Sequence, residues 1–160
     1  MIIWILLLLA LVYVLYLNRG GFILNDITTT PDDPPQFTIE KPYPEFSRRL
    51  QKKYYTELQP LKLRLSESQA FDIIRNLVKA RGWEIVHIDG SKIEAVATTP
   101  LMRFKDDIVI EIRPAKEGSE IHMRSKSRIG KGDLGENARR IRKLLSDAEL
   151  QSHTFSRPVH

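Results

Sequence analysis

The stretch over residues 121–142 constrains the fold more than any other part of the chain, because it predicts a strand, a tight turn and a helix in succession. Basic or ionisable side chains occupy alternate positions of the strand: His122, Arg124, Lys126 and Arg128. Successive side chains of a strand point to opposite faces, so one sheet face carries this basic row and the other is apolar or small. Gly130 and Gly132 predict the turn. Asp133 with Glu136 predicts a capping box at the start of the helix.

Other periodic segments predict an α+β domain with an antiparallel meander. Alternation of apolar and polar residues predicts strands near residues 61–65, 83–88, 92–98, 107–113 and 120–128. A capping box from Ser66 to Gln69 begins a helix that runs to about Arg81, and a second helix runs from Asp133 to about Ala148. We therefore expect a four- to five-stranded sheet packed on one face by two helices.

The chain begins with an apolar run over residues 2–17 that contains no charge, proline or glycine. Roughly 20 apolar residues are needed to cross a bilayer, and residues 18–24 can lengthen the run, so it predicts a single-pass transmembrane anchor over residues 1–24. The anchor's interfacial residues would be Trp4, Tyr13, Tyr16 and Arg19. A cleaved signal peptide is the alternative, although no basic residue precedes the run and no Ala-x-Ala pattern follows it.

Four parts of the chain follow from these patterns: the anchor at 1–24, a Pro-rich linker at 25–44, a folded domain at 45–150 and a flexible tail at 151–160. Proline fixes φ and removes a donor, so the linker is expected to be extended, with no strand or helix of its own. Residues 45–58 predict a short basic amphipathic helix. Its apolar stripe either packs on the domain or leaves the helix free to rest on anionic headgroups. The stripe comprises Phe46, Leu50, Tyr54 and Leu58.

The sequence shows no catalytic, cofactor-binding or metal-binding constellation. It has no cysteine, and none of its four histidines stands three or four residues from another, so thiol chemistry and a helical metal pair have no basis. Asp106 and Asp107 are neighbours in a predicted strand and point to opposite faces, which suits an acid/base pair poorly. We expect no enzyme, no cofactor and no metal; a hydrolase or transferase is the remaining alternative.

Positive charge favours an anionic partner. The net charge of +5 suits lipid headgroups or an acidic protein surface, and the plainer alternative is a solvated charged face. The candidate interaction surface on the basic sheet face comprises Arg113, His122, Arg124, Lys126 and Arg128. Nucleic acid is not an expected partner, because that face lacks aromatic side chains on which bases could stack.

Three segments resemble a known family. Residues 103–110 (RFKDDIVI), 124–130 (RSKSRIG) and 133–141 (DLGENARRI) resemble the domain of unknown function 1499 family, with a match over roughly residues 60–147. The resemblance implies a bacterial protein that is often attached to a membrane and has no established activity, so it brings no catalytic residues. Many members contain a cysteine segment that this chain lacks, which speaks against a thiol-dependent role.

These observations predict a non-catalytic, membrane-anchored accessory subunit of a larger membrane protein complex. Respiratory and photosynthetic complexes are candidate hosts that no residue singles out. Its partners would be other membrane protein subunits and the lipid bilayer. It would lie at the bacterial cytoplasmic (inner) membrane, and Arg19 favours a cytoplasmic domain over a periplasmic one. The alternative function is a membrane-tethered binding module for an anionic ligand or lipid headgroups on the basic sheet face.

Overall fold

A computed structural model of the protein describes residues 2–17, 24–39, 41–100, 102–130, 132–133 and 135–155. The elements in chain order are helix α1 (Ile2–Leu17), strand β1 (Asp26–Thr28), helix α2 (Glu45–Tyr54), strand β2 (Leu61–Leu63), helix α3 (Glu67–Ala80), strands β3 (Glu84–Asp89), β4 (Lys92–Thr98), β5 (Lys105–Ala115) and β6 (Gly118–Ser127), and helix α4 (Glu136–Phe155).

The strands form one six-stranded antiparallel sheet in the order β1-β6-β5-β4-β3, with β2 also paired to β6. The predicted α+β class with an antiparallel meander is confirmed for β3 to β6. The predicted four to five strands are too few, because β1 arises from residues 26–28 of the presumed linker. Strand β2 lies so close to the β5–β6 turn that a Cβ on Gly118 would stand 2.1 Å from the Leu63 carbonyl oxygen, which explains the glycine there.

Helices α3 and α4 cover one face of the sheet and enclose the hydrophobic core. Alternate residues of the central strands, such as Ile108 and Ile110 of β5, are fully buried there against Ile73, Ile74 and Ile141. Helix α3 begins with the predicted capping box between Ser66 and Gln69. The 3.6-residue and two-residue periods of the sequence therefore predicted this half of the molecule correctly.

Residues 29–39 and 41–43, here called the strap, cover the opposite face of the sheet. Phe37 and Tyr43 of the strap are buried on it, and the backbone N–H and hydroxyl of Thr38 both donate to Glu94 at 2.6 Å. The prediction that residues 25–44 have no strand of their own is wrong, and so is the expectation of an open polar sheet face. Proline-rich composition indicates an extended backbone, but an extended backbone can lie on a sheet as well as span a gap.

Helix α2 confirms the predicted amphipathic segment, and half of the predicted stripe packs on the domain. Leu50 packs against the hydrophobic core and Leu58, just beyond the helix, is buried in it, whereas Phe46 and Tyr54 are exposed.

The buried residues of α2 itself are Ser47 and Gln51. The Gln51 amide exchanges hydrogen bonds with the backbone of Thr28 in β1 and accepts one from the Tyr43 hydroxyl. A buried amide must find partners, and here it joins helix, strand and strap.

Helix α1 is shorter than the predicted transmembrane anchor. It is 16 residues long, and among the residues that the structure describes no helix is long and apolar enough to cross a membrane. At a rise of about 1.5 Å per residue, such a helix falls short of a hydrocarbon core about 30 Å thick. The predicted transmembrane helix over residues 1–24 is therefore wrong; residues 18–23, which were expected to lengthen it, lie outside the described residues.

At the other end of the chain, α4 continues to Phe155 instead of ending near Ala148. Ser152 is buried in this last part of the helix, whereas its neighbours from Glu149 to Phe155 are exposed. Residues 156–160 lie outside the described residues. The division of the chain into four functional parts stays a prediction.

Candidate functional site

The predicted interaction surface divides into buried and exposed groups. Arg124 is 0% exposed and His122 is almost as deeply buried, because the strap lies over both. Arg113, Lys126 and Arg128 keep part of their side chains in solvent. The structure therefore places all five on one sheet face, as predicted, but only three of them at the surface.

Arg124 is held in a closed polar pocket. Its Nε and Nη2 donate to the two carboxylate oxygens of Asp26 at 2.8 and 2.7 Å, and its guanidinium lies between the rings of Phe37 and Tyr43, about 5 Å from each centroid. Burial, with the charge of Asp26 adding to it, raises the pKa of the Tyr43 hydroxyl well above its ordinary value. Such a paired and stacked arginine is positioned to hold the strap on the sheet.

His122 is also part of this enclosed region. Its Nδ1 lies 2.7 Å from the Thr30 hydroxyl and its Nε2 lies 3.2 Å from a Glu120 oxygen. Burial, with the charge of Arg113 adding to it, lowers the pKa of His122 below 6.5, although Glu120 and Glu111 oppose the shift. The neutral imidazole is therefore the form that suits the folded protein.

The three segments that carry the family resemblance meet at one end of the sheet, on the face covered by α4. Asp106, 3% exposed, accepts from Arg140 Nη2 at 2.7 Å. Arg140 also donates to Asn137 and to Ser125, and the Asn137 amide donates to Ser127 at 2.9 Å. This buried polar network joins β5, β6 and α4, so each segment contributes to one structure.

Asp133 caps the last helix, as its place in the sequence predicts. The carboxylate of Asp133 accepts from the backbone N–H groups of Gly135 and Asn137 and so caps α4. Burial raises the pKa of Asp133, although these hydrogen bonds oppose the shift. The Glu136 side chain pairs with Arg139 instead of closing the predicted capping box.

Arg128 donates to Asp107 on the neighbouring strand at 2.7 Å. Burial disfavours the Asp107 carboxylate, but hydrogen bonds from Arg128 and Lys41 outweigh it and lower the pKa of Asp107. Asp106 and Asp107 do point to opposite faces, one toward the core network and one toward the strap. The two carboxylates therefore have separate structural roles.

Two adjoining cavities open beside the buried network, and sequence reasoning predicted neither. The first, here called the apolar cavity, has a volume of about 550 Å³; its walls include Pro100, Met102, Phe104 and Ile129, and its polar groups include Asp106 and Asp133. The second, here called the basic cavity, has a volume of about 310 Å³ and is lined by Arg81, Arg139, Arg140, Lys143 and Trp83. They share Thr99, Pro100, Glu136 and Arg139 as a common border.

Residues 99, 100 and 102–104 form a tight turn at the rim of the apolar cavity. Its hydrogen bonds run from the backbone N–H of Thr99 to the Phe104 carbonyl and from the N–H of Phe104 to the Thr99 hydroxyl. Arg103 has φ +56°, which is uncommon for a residue with a side chain. The turn leaves Met102 62% exposed beside Ile129, which is 67% exposed. In the sequence, the pair Thr99-Pro100 is a signal that could have predicted this turn.

Of the predicted anchor residues, Trp4 and Tyr13 have exposed side chains on α1. Tyr16 belongs to α1, and Arg19 lies outside the described residues. Every side chain from Ile3 to Tyr13 is exposed, so the described part of the domain leaves this apolar helix uncovered.

Across the described ranges, no group of three or more histidine and acidic side chains could hold a metal ion. The family described as "Protein of unknown function (DUF1499)" matches residues 26–147. No curated protein shows significant similarity to the chain. The match begins at the first residue of β1, so it includes the strap as well as the meander.

Proposed function

The chain belongs to the DUF1499 family, and we propose that it is a non-catalytic accessory subunit of a larger membrane protein complex at the bacterial inner membrane. The observation that carries the proposal is α1, whose side chains from Ile3 to Tyr13 are apolar and exposed. A helix that is apolar all round is stable when something covers it on every side. Partner subunits with apolar helices would supply that cover.

The folded domain suits the role of a rigid attachment. Its sheet is covered on one face by α3 and α4 and on the other by the strap, and buried ion pairs join α4 to β5 and β1 to β6. Buried pairs of this kind favour a single arrangement of the groups that they connect. In the proposed complex, α1 makes the permanent contact and the domain presents its charged surface to neighbouring subunits.

An accessory role has more support than anionic ligand binding on the basic sheet face. Arg124 is enclosed by Asp26 and two rings, so a ligand could reach it only if the strap left. Arg113 and Arg128 are each engaged with carboxylates already. A ligand on that face would have to displace these carboxylates and, to reach Arg124, the strap as well.

The test is purification of the full chain from its native membranes under mild detergent. We expect a discrete assembly far larger than 18.5 kDa, and we expect Leu8→Glu in α1 to release the chain from it. A charge on α1 would have to be buried without a partner in the assembly. Ile88→Glu is the matched control, because Ile88 is an exposed apolar residue on the folded domain. Elution of the unmodified chain alone would contradict the proposal.

A further inference from the structure

We propose that the two adjoining cavities form one binding site for a single-chain amphiphile with an anionic head, its chain in the apolar cavity and its carboxylate or phosphate in the basic cavity. This inference does not depend on the accessory role. It concerns a part of the domain remote in sequence from α1, and it uses none of the residues of the predicted sheet-face surface.

The apolar cavity has the size and lining of a ligand site. Pockets for small molecules hold about 300–1,000 Å³ and combine apolar walls with a few polar groups, and this one has a volume of about 550 Å³. Met102, Phe104 and Ile129 around it are exposed to solvent. A bound apolar chain would remove these three side chains from water together. Their burial would contribute about 25 cal/mol of binding free energy per Å² of apolar area.

The basic cavity supplies charge complementary to an acidic head. Four of its lining side chains are cationic, and they pair with only three carboxylates, so one positive charge is left over: Arg81 and Lys143 share Asp147, Arg139 pairs with Glu136, and Arg140 pairs with Asp106. Arg140 is buried, and its hydrogen bonds to Asp106 and Asn137 hold its guanidinium in place. Guanidinium groups bind carboxylate and phosphate oxygens with charge-assisted, often bidentate hydrogen bonds.

The border between the cavities orients the ligand. Arg139 and Glu136 line both cavities and form an ion pair whose arginine side chain is 65% exposed. An acidic head can compete with Glu136 for Arg139 at little cost, because an exposed pair contributes little stability. Asp106 and Asp133 lie in the apolar cavity, so an anionic head is disfavoured there. The charges therefore select one direction for the molecule.

Titration calorimetry on the full chain tests the site with dodecanoate and dodecyl phosphate as probes. The comparison probes are dodecanol, which has the apolar chain without an anionic head, and inorganic phosphate, which has the anionic group without a chain. We expect saturable binding of both amphiphiles below the concentration at which they form micelles, with the tighter of the two identifying the head group. Equal binding of dodecanol would overturn the anionic head, and equal binding of inorganic phosphate would overturn the apolar chain.

Variants locate the binding. Arg139→Ala should weaken amphiphile binding about tenfold, as expected for the loss of one charged hydrogen bond, and Ile129→Glu should weaken it by placing a charge in the apolar wall. Both side chains are exposed, so neither change disturbs the core. Leu8→Glu in α1 and Lys116→Ala on the β5–β6 turn are controls that should keep full affinity. Unchanged affinity in the two cavity variants, or its loss in Leu8→Glu, would refute the site.

Discussion

Asp133 shows at the scale of one residue how the motif at the start of α4 stabilises the fold. Its carboxylate accepts from two backbone N–H groups of the first turn of α4. We predict that Asp133→Ala in the full chain lowers the free energy of unfolding by about 1 kcal/mol, measured by thermal or urea unfolding. Asp133→Asn is the matched control, because an amide oxygen can still accept these bonds. A melting curve unaltered by Asp133→Ala would show that the residue serves another purpose.

His122 gives the folded state a dependence on pH. Because its pKa is lowered in the folded protein, chiefly by burial, the unfolded state binds the proton more readily. The stabilising contribution is then complete above about pH 6.5 and is lost as the pH falls through the lowered pKa. We predict that the stability of the wild-type protein falls relative to His122→Gln between pH 7.5 and 5.5. A constant difference between the two proteins over that range would contradict this assignment.

At the scale of elements, the Asp26–Arg124 pair joins β1 to β6, and the strap contacts the same arginine through the rings of Phe37 and Tyr43. Both side chains are fully buried, so removing the carboxylate leaves an uncompensated charge. We predict that Asp26→Ala costs about 3–5 kcal/mol of stability in urea unfolding, whereas the double variant Asp26→Leu with Arg124→Met, which removes both charges and fills the space with apolar side chains, costs far less. If the double variant is as damaging as Asp26→Ala, the hydrogen bonds and ring contacts of the arginine matter more than the uncompensated charge.

The elements also show which parts of the fold could be predicted from the sequence. The meander, α3 and the start of α4 follow from local periods and capping residues, which need only neighbouring positions. Strand β1 and the strap do not, because the contacts that place them, Asp26 with Arg124 and Thr30 with His122, join residues 98 and 92 positions apart. An arginine in an alternating strand indicates a solvent-facing position unless its distant partner is known.

The candidate site was predictable only in outline. The resemblance drew attention to three segments, and the structure brings them together through Asp106, Asn137 and Arg140. The cavities beside them depend on the turn that exposes Met102 and on the direction of the Arg139 side chain. Neither feature follows from a periodic pattern of apolar and polar residues, because both arise where separate elements meet.

At the scale of the whole molecule, a compact domain with two covered sheet faces carries one uncovered apolar helix. The covered faces make the domain self-sufficient, whereas α1 is apolar on all sides with no described part of the domain against it. Burial of such a helix between subunits would contribute far more than any surface ion pair of this chain. The accessory role therefore depends on α1 lying in a protein interface.

Site-specific photo-crosslinking in the cells that produce the protein tests most directly whether α1 lies in a protein interface. The photoreactive side chain replaces Leu9 in α1. In the control it replaces Lys116 on the β5–β6 turn. We predict that position 9 gives a discrete adduct with a different polypeptide, in the same yield from one cell preparation to the next, and that position 116 does not give this adduct. An interface formed by α1 would also make the adduct disappear when Leu8→Glu is present. Absence of any protein adduct at position 9 would contradict the proposed accessory role.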